Sequence, residues 1–324
     1  MRAIVQHRYG PLRDVLRLQE SEVPTPKDGE VVVRVGAASI HIGDCHIIRG
    51  VPYLFRPMYG LRSPKAPIPG TDLAGTVEAV GSGVTQLKPG DEVFGWGTGA
   101  FAEYARAAAE DLLPKPAGLT FGEASAVGVS AMTALQALRD HGKVKPGQKV
   151  LINGASGGVG TFAVQIAKSF GAEVTGVCST RNVDLVRSIG ADQAIDYTQE
   201  DFTRGGPRYD LILDNVGNHS MSATRRALTP DGTLISNGAP VGGWVGGVGH
   251  VLRAMVSSTL VRQQARPFIS TNDRADLMSL KELIEAGRIR PVVGTTYPLC
   301  DVAEAIAHVA GGHAQGTTVI TVPA

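Results

Sequence analysis

The sequence predicts an α/β fold, with a doubly wound parallel sheet and a second, mostly antiparallel β domain. Short β-branched runs separated by Pro and Gly fill the first third of the chain, and such runs are typical of antiparallel strands. After residue 120, Ala and Leu recur at helical intervals, and strand and helix patterns then alternate. This alternation predicts a parallel sheet covered by helices, and 324 residues suffice for two cores.

The strands and helices follow from these patterns in chain order. In the first domain, strands are predicted within 1–10 and at 30–35, 73–80, 92–95 and 101–106. In the parallel sheet, strands are predicted at 149–153, 173–178, 193–197, 211–215 and 233–236. Helices at 274–287 and 302–309 precede a last strand at 317–322. The last segment is β-type again, so we expect domains at 1–125 and 126–271, with 272–324 returning to the first.

Composition favours a small-molecule partner. The 31 basic and 30 acidic residues leave a net charge of +1, without a long block of either sign, so neither nucleic acid nor an anionic membrane is indicated. Residues 241–261 are apolar, but glycines, His250 and Arg253 interrupt them, so no membrane span is predicted. Cys45, Cys178 and Cys300 lie far apart, and residues 1–10 lack an apolar signal core, which predicts a cytoplasmic protein.

A glycine-rich loop follows the strand at 149–153. It reads Gly-Ala-Ser-Gly-Gly-Val-Gly and leads into an amphipathic helical stretch at 161–170. Glycine lets the backbone approach a pyrophosphate, and a helix amino terminus offers unpaired N–H groups. We therefore predict a dinucleotide site, although the same glycines could serve only a tight turn. The predicted contacts come from the loop residues Gly154, Ser156, Gly157, Gly158, Val159 and Gly160.

The end of the next strand favours NADPH over NADH. An NAD site usually has Asp or Glu there for the ribose hydroxyl, whereas this chain has Ser179, Thr180 and Arg181, with no acid before Asp184. Ser179 can hydrogen-bond a phosphate, and Arg181 can pair with it through two N–H groups. In the alternative interpretation, Ser179 or Thr180 only caps the next helix and Arg181 is a solvated first-turn residue.

Several ordered motifs resemble the medium-chain dehydrogenase/reductase superfamily. They are Pro-Gly-Thr-Asp-Leu-Ala-Gly at 69–75, Pro-Gly-Asp-Glu-Val at 89–93, residues 99–104, and the glycine loop. The resemblance covers essentially the whole chain. It implies a GroES-like catalytic domain and a Rossmann NADPH-binding domain.

The same resemblance implies a zinc-independent member. Zinc-containing members carry His and Glu where this chain has Thr71 and Asp72, and a Cys where it has the His41 to Asp44 segment. The four closely spaced cysteines of the structural zinc lobe are also missing. We therefore predict that no metal is bound. The alternative is a metal site formed by His41, Asp44, Cys45 and His46.

The segment 41–50 is similar to a motif of the quinone oxidoreductases, Asn-x-x-Asp-x-x-x-Arg-x-Gly. Here His41 replaces the Asn, and His46 stands where many relatives have Tyr. The predicted catalytic residues are His46, as a donor to a developing oxygen anion, with His41 and Asp44. Alternatively, His46 only lines the entrance, and Asp44 fixes the loop.

Further contacts are predicted where strands of the parallel sheet end. The resemblance places Tyr197 beside the adenosine phosphate, against the alternative of strand packing. Asn215 and Val216 follow one strand, and Gly238 and Ala239 follow another, at the edge where ligands bind in such folds.

An apolar insertion follows the candidate catalytic segment. Tyr53, Phe55 and Tyr59, with Trp244, predict a hydrophobic substrate pocket or lid, and a contact between domains or subunits is the alternative.

Three functions are compatible with these residues. The leading one is an NADPH-dependent reductase that transfers hydride to a quinone or an α,β-unsaturated carbonyl. A conjugated acceptor stabilises the incoming charge without a metal. The alternatives are a zinc-free carbonyl or alcohol oxidoreductase, and an NADPH-binding protein without turnover. The resemblance implies a homodimer.

Overall fold

The computed structural model describes residues 1–237 and 262–323, which form two compact units. The first unit comprises Met1–Ser130, Asn272–Glu285 and Pro291–Ala324. The second comprises Ala131–Thr271 and Ala286–Arg290. The chain therefore leaves the first unit after Ser130 and returns to it at Asn272, and the short segment Ala286–Arg290 belongs again to the second unit.

The first unit is built on a mostly antiparallel, seven-stranded sheet. In chain order its strands are β3 (Glu30–Ile40), β4 (Asp72–Val80), β5 (Glu92–Trp96), β6 (Tyr104–Ala108), β7 (Leu112–Pro114), β14 (Val293–Pro298) and β15 (Thr317–Thr321). The order across the sheet is β14-β15-β3-β4-β5-β7, with β6 also paired to β3, and only β14 and β15 run parallel. A separate pair, β1 (Arg2–Val5) and β2 (Arg17–Glu20), is antiparallel.

In the described part of the chain, six α-helices belong to the first unit, and all of them except α3 contribute buried side chains. They are α1 (Leu12–Val15), α2 (Ile42–Arg49), α3 (Arg56–Tyr59), α4 (Phe121–Ser125), α9 (Arg274–Glu285) and α10 (Val302–Ala310). The core joins early and late parts of the chain, since Val33 and Leu73 pack in one cluster with Ile306 and Ile320. The return segment is therefore part of this core.

The second unit contains a six-stranded, fully parallel sheet. Its strands are β8 (Lys149–Asn153), β9 (Glu173–Cys178), β10 (Gln193–Asp196), β11 (Tyr209–Asp214), β12 (Leu228–Ser236) and β13 (Gln264–Pro267). Their order is β10-β9-β8-β11-β12-β13, so the direction of winding reverses beside β8. Ligands bind at such a switch point in doubly wound sheets, next to the carboxyl ends of the strands.

Helices precede the first parallel strand and lie between several of the later ones. They are α5 (Gly128–Gln136, continued by a π-turn at Ala137–His141), α6 (Gly158–Ser169), α7 (Val183–Ser188) and α8 (Met221–Ala227). α6 lies almost wholly buried from Gly160 to Ala167, because its sequence is apolar on nearly every face. No helix in the described ranges combines the length and the apolarity that crossing a membrane requires.

The predicted α/β fold class is confirmed, with its parallel Rossmann sheet and antiparallel GroES-like sheet. The main local difference is the strand predicted at 101–106, which begins only at Tyr104. Phe101 is fully buried; its N–H donates to the carbonyl of Pro69, and its carbonyl accepts from the N–H of Ile4 in the first strand, so its apolar character reflects core packing. The first turn of α6 was also missed, since Gly158 and Gly160 have low helix propensity.

Candidate functional site

The glycine loop turns sharply after β8. Gly154 has φ +79°, and the N–H groups of Gly154 and Ala155 both donate to the carbonyl of Val177, at 3.1 and 3.0 Å. The loop is thereby fixed to the end of β9. Gly157 then precedes the first turn of α6, which contains Gly158, Val159 and Gly160.

Two glycines of this loop differ in their surroundings. A Cβ on Gly160 would lie 2.0 Å from the carbonyl oxygen of Gly154, so internal packing alone requires glycine there. Within the described part of the chain, a Cβ on Gly157 would have only one neighbour within 4 Å, at 3.6 Å, and the φ of −83° at this position suits any residue. The open space at Gly157 lies beside the amino terminus of a 12-residue helix, and this arrangement fits a pyrophosphate.

Asn182 connects the glycine loop to the end of β9, and the sequence analysis missed it. Its side-chain Nδ2 donates to the hydroxyl of Ser156 at 3.0 Å and to that of Ser179 at 3.3 Å. Asn182 is buried, and its residue type offers two donors from one amide. It therefore holds both predicted serines in position.

The residues after β9 make no capping hydrogen bond with their side chains. Neither Ser179 nor Asn182 makes a side-chain cap, and Thr180 donates instead to Asp196, at 2.6 Å. The capping alternative for Ser179 and Thr180 is therefore wrong. Arg181 is exposed in this turn.

Tyr197 lies directly after β10, beside the same edge of the sheet. Its N–H donates to the carbonyl of Cys178 at 3.0 Å, while 48% of its surface is exposed. The ring is thus incompletely packed, and it leaves a face open beside the end of β9.

The end of β11 is held by a buried polar network. Asp214 Oδ1 accepts from Asn153 Nδ2 at 2.8 Å and from the N–H groups of Val216 and Gly217, at 3.1 and 2.9 Å. Asn215 donates from Nδ2 to the carbonyl of Asn153 at 3.2 Å. The structure therefore places Asn215 and Val216 next to the glycine loop. Gly238, Ala239 and Trp244 lie outside the described residues.

In the first unit, His41 and Asp44 form a polar turn at the start of α2. The backbone N–H of His41 donates to Asp44 Oδ2 at 2.9 Å, and His41 Nε2 lies 3.5 Å from the same oxygen. His41 Nε2 also lies 3.2 Å from the hydroxyl of Thr71. Burial raises the pKa of the Asp44 carboxyl, and the nearby His41 opposes this shift. Asp44 is thus held in the turn, with His41 between it and Thr71.

Asp72 is a second buried carboxylate, which the sequence analysis did not place in the site. It is 0% exposed, and its Oδ2 accepts from the N–H of Val129 at 2.9 Å and from Ser39 Oγ at 3.2 Å. Gly128 packs directly on it, since a Cβ there would lie 2.4 Å from the carboxyl carbon. Oδ1 has no partner among the described residues. Burial raises the pKa of Asp72 to about 6.

His46 lies on α2, partly buried, one turn from its end. Its Nε2 is buried without a hydrogen-bond partner among the described residues. Burial lowers the pKa of His46, and the charges of Arg49 and His41 lower it further. The ring is therefore neutral near pH 7, where it can still donate one N–H.

The structure does not assemble a zinc site from these side chains. Throughout residues 1–237 and 262–323, no three His, Cys, Asp or Glu side chains are grouped so as to hold a metal. Cys45 is buried, and Thr71 and Asp72 are engaged with His41 and Val129. The donors present do not fit catalytic zinc, which needs three protein ligands.

The apolar insertion is exposed on the first unit. Tyr53 and Tyr59 flank a short turn and α3, and each is 38% exposed. Phe55 ends the 3₁₀ turn Tyr53–Phe55, and its side chain is outside the description. Leu54, Met58 and Leu61 are also largely exposed, so the insertion presents an apolar surface.

Comparison with known proteins identifies the family. Residues 27–117 match the alcohol dehydrogenase GroES-like domain, and residues 189–320 match the zinc-binding dehydrogenase family. Over 334 residues the chain is 32% identical to a chloroplast envelope quinone oxidoreductase homolog of Arabidopsis thaliana, covering 99% of this chain and 98% of that protein. The chain belongs to the medium-chain dehydrogenase/reductase superfamily and is quinone oxidoreductase-like.

Two further members of this superfamily bear on the cofactor. A mitochondrial NAD(P)H oxidoreductase of Mus musculus is 32% identical over 365 residues, covering 99% of this chain and 89% of that protein. The solved Escherichia coli quinone oxidoreductase complexed with NADPH has a TM-score of 0.82 and 26% identity, covering 99% of this chain and 100% of that chain. The chain is an NAD(P)H-dependent oxidoreductase.

Proposed function

We propose that this chain is a zinc-independent reductase that uses NADPH to reduce a conjugated acceptor, a quinone or an α,β-unsaturated carbonyl. The observation that carries the proposal is the environment of Thr71 and Asp72. Thr71 contacts His41, and Asp72 is enclosed by Gly128 and Val129, so neither is presented as a metal ligand. A conjugated acceptor needs no metal, because its own oxygen takes up the charge.

NADPH is favoured by the turn after β9. Bound NADPH supplies the hydride. Arg181 is exposed in this turn, and the Ser179 hydroxyl accepts from Asn182 at 3.3 Å, which leaves its own proton available to a phosphate. Asp196, at the end of β10, accepts hydrogen bonds from Thr180 and from the N–H and hydroxyl of Thr198. Tyr197 supplies an open aromatic face at the same edge.

His46 is the proposed donor to the reduced acceptor's oxygen, and His41 and Asp44 position its loop. Support comes from the unpartnered Nε2 of His46 and from its partial burial. The exposed tyrosines Tyr53 and Tyr59 are proposed to contact an apolar acceptor. In the competing interpretation, His46 only lines an entrance and the apolar surface mediates a subunit contact.

The acceptor class is tested by following NADPH oxidation with a panel of quinones, enones, ketones and aldehydes, with NADH in parallel. We expect turnover of quinones or enones, and little turnover of isolated ketones. Turnover of ketones alone would favour the carbonyl or alcohol oxidoreductase. Tight NADPH binding without turnover of any acceptor would favour a sensor or structural role. Metal analysis of the purified protein tests zinc independence, and stoichiometric bound zinc would contradict it.

Replacing Arg181 by Glu tests the cofactor assignment. Loss of a charge-assisted pair with the 2′-phosphate should raise the KM for NADPH by roughly 10- to 100-fold. The KM for NADH should change little. Arg181→Lys keeps the charge, so its KM for NADPH should lie between those of the unaltered protein and Arg181→Glu. Equal losses with both cofactors would show that Arg181 does not contact the phosphate.

A cytoplasmic homodimer is proposed for the assembly and location. Cys45, Cys178 and Cys300 are all free, which suits a reducing compartment. Sedimentation of the purified protein should give a mass near twice 33.9 kDa, and a monomeric mass would contradict the dimer.

A further inference from the structure

A single arginine in the apolar insertion is fixed between aromatic rings. The guanidinium carbon of Arg56 lies 4.4 Å from the ring centre of Tyr53 and 4.7 Å from that of Tyr9. Its Nε donates to the carbonyl of Gly50 at 2.9 Å. Tyr9 is itself held, because its hydroxyl donates to the carbonyl of Gly60 at 2.7 Å. These contacts orient a long side chain that is normally mobile.

The two terminal nitrogens of Arg56 are left for another group. Among the described residues, Nε is the only nitrogen of this guanidinium with a hydrogen-bond acceptor, and no Asp or Glu of that part of the chain pairs with it. An oriented guanidinium with both terminal nitrogens available matches the two oxygens of a carboxylate.

All the fully charged side chains in the surrounding sequence are basic. Between Cys45 and Thr71 there are Arg49, Arg56, Arg62 and Lys65, but no Asp or Glu, although the whole chain is nearly neutral. A local excess of positive charge attracts anions and raises their concentration at the surface. The exposed side chains of Met58, Tyr59 and Leu61 add apolar surface in the same segment.

We infer that Arg56 is a specificity-determining residue that binds a carboxylate on an apolar substrate. The substrate class is then a conjugated acceptor with an apolar body and an anionic carboxylate. This assignment of the substrate rests on the proposed function, whereas the binding of a carboxylate by Arg56 does not. Contact with the Gly50 carbonyl alone would make Arg56 only a support for the end of α2.

Direct binding measurements distinguish a carboxylate-binding role of Arg56 from a role that only supports the end of α2. Naphthoate and the neutral naphthamide share one aromatic body, and neither is reduced. Calorimetric titration of the full-length protein should show naphthoate bound about tenfold more tightly or better, as expected for a charge-assisted pair. Arg56→Met should abolish the difference, and Arg62→Met, which removes an exposed charge from the same segment, should keep it.

The outcome that overturns the inference is equal affinity for both probes in the unaltered protein. The inference would also be overturned if Arg56→Met weakened the binding of naphthoate and naphthamide equally. It would be overturned as well if Arg62→Met lost the difference in affinity between the two probes. If Arg56→Met does not fold, Arg56→Lys decides, since it keeps the charge but not the paired N–H geometry. It should bind naphthoate more weakly and naphthamide unchanged, and unchanged naphthoate binding would refute the paired contact.

Kinetics extend the test to the substrate. A naphthoquinone with a carboxylate should have a lower KM than its methyl ester, and Arg56→Met should raise only the KM of the acid, with kcat for the ester retained. Equal KM values for acid and ester in the unaltered protein would refute the substrate class. Absence of NADPH oxidation with either quinone would instead refute the proposed function, and the naphthoate result would stand.

Discussion

At His46, burial decides which proton chemistry the ring can perform. Its pKa is lowered from the ordinary value by desolvation and by the charges of Arg49 and His41. The sequence shows a histidine in a motif where relatives have Tyr, but it does not show that the ring is neutral near pH 7. A neutral imidazole resembles Tyr in offering one donor, so His46 can take the role of Tyr without a positive charge.

Replacing His46 by Leu should separate catalysis from stability. Removing a buried, unpartnered ring nitrogen should change the free energy of unfolding by less than about 1 kcal/mol. If His46 is the donor, kcat should fall about a hundredfold at an unchanged KM for NADPH. Urea unfolding and steady-state kinetics measure the two effects. A kcat near that of the unaltered protein would leave His46 as an entrance residue only.

Asp72 should make the protein less stable as the pH rises. Its pKa is about 6 in the folded protein, whereas an unfolded Asp titrates near 3.9. Between these values the folded state binds more protons than the unfolded state, so the free energy of unfolding decreases from about pH 4 to about pH 6. The total decrease is on the order of 3 kcal/mol.

The variant Asp72→Asn tests whether the free energy of unfolding falls with pH because of Asp72. The amide oxygen can still accept from Val129, and the group no longer ionises. We expect the stability of the variant, relative to the unaltered protein, to increase between pH 4 and pH 6.5 in urea unfolding. Parallel pH curves for the two proteins would show that Asp72 has an ordinary pKa.

At the scale of the element, the β8–α6 loop combines a packing requirement at one glycine with a proposed binding role at another. Gly160 is required by the approach of α6 to the carbonyl of Gly154. Gly157 is not required by any such neighbour. The sequence predicts a glycine-rich binding loop, but it does not show which glycine is required by packing and which leaves space for a ligand.

Two single substitutions distinguish them. Gly160→Ala should lower the free energy of unfolding by about 1–3 kcal/mol through overpacking and should weaken NADPH binding as well. Gly157→Ala should leave the melting temperature nearly unchanged but weaken NADPH binding about tenfold, because its methyl group would occupy the space for the pyrophosphate. Unchanged NADPH affinity in Gly157→Ala would indicate that this glycine serves only the turn.

At the scale of the whole molecule, the two units differ in how they depend on the end of the chain. In the first unit β15 pairs with β3 and β14, and Leu299, Val302 and Ile306 are buried in its core. In the second unit every described strand precedes Arg290. The first unit therefore needs the last residues of the chain, and the second does not.

A chain that ends at Arg290 tests this difference. We expect residues 1–130 to be digested rapidly by protease, because β3 loses a partner strand and the core loses its late contributors. The second unit, within residues 131–271, should resist and should still change the fluorescence of NADPH. Protection of residues 1–130 would contradict the dependence of the first unit on its return segment.

The sequence alone determined the features that depend on neighbours along the chain. The parallel strands β8 and β9 were predicted with their observed bounds, since their apolar runs are continuous and bounded by turn residues. The glycine loop was predicted for the same reason. These are local patterns, so one sequence suffices to recognise them.

Only the tertiary structure decided the contacts between distant residues. Asp72 is enclosed by Gly128 and bonded to Val129, 57 positions away, and Asn182 joins Ser156, 26 positions away, to Ser179. The sequence places Asp72 in a family motif but does not show that it is buried, and it gives Asn182 no role. Burial and partner choice arise only when separate strands and helices meet, and no pattern along the chain encodes that meeting directly.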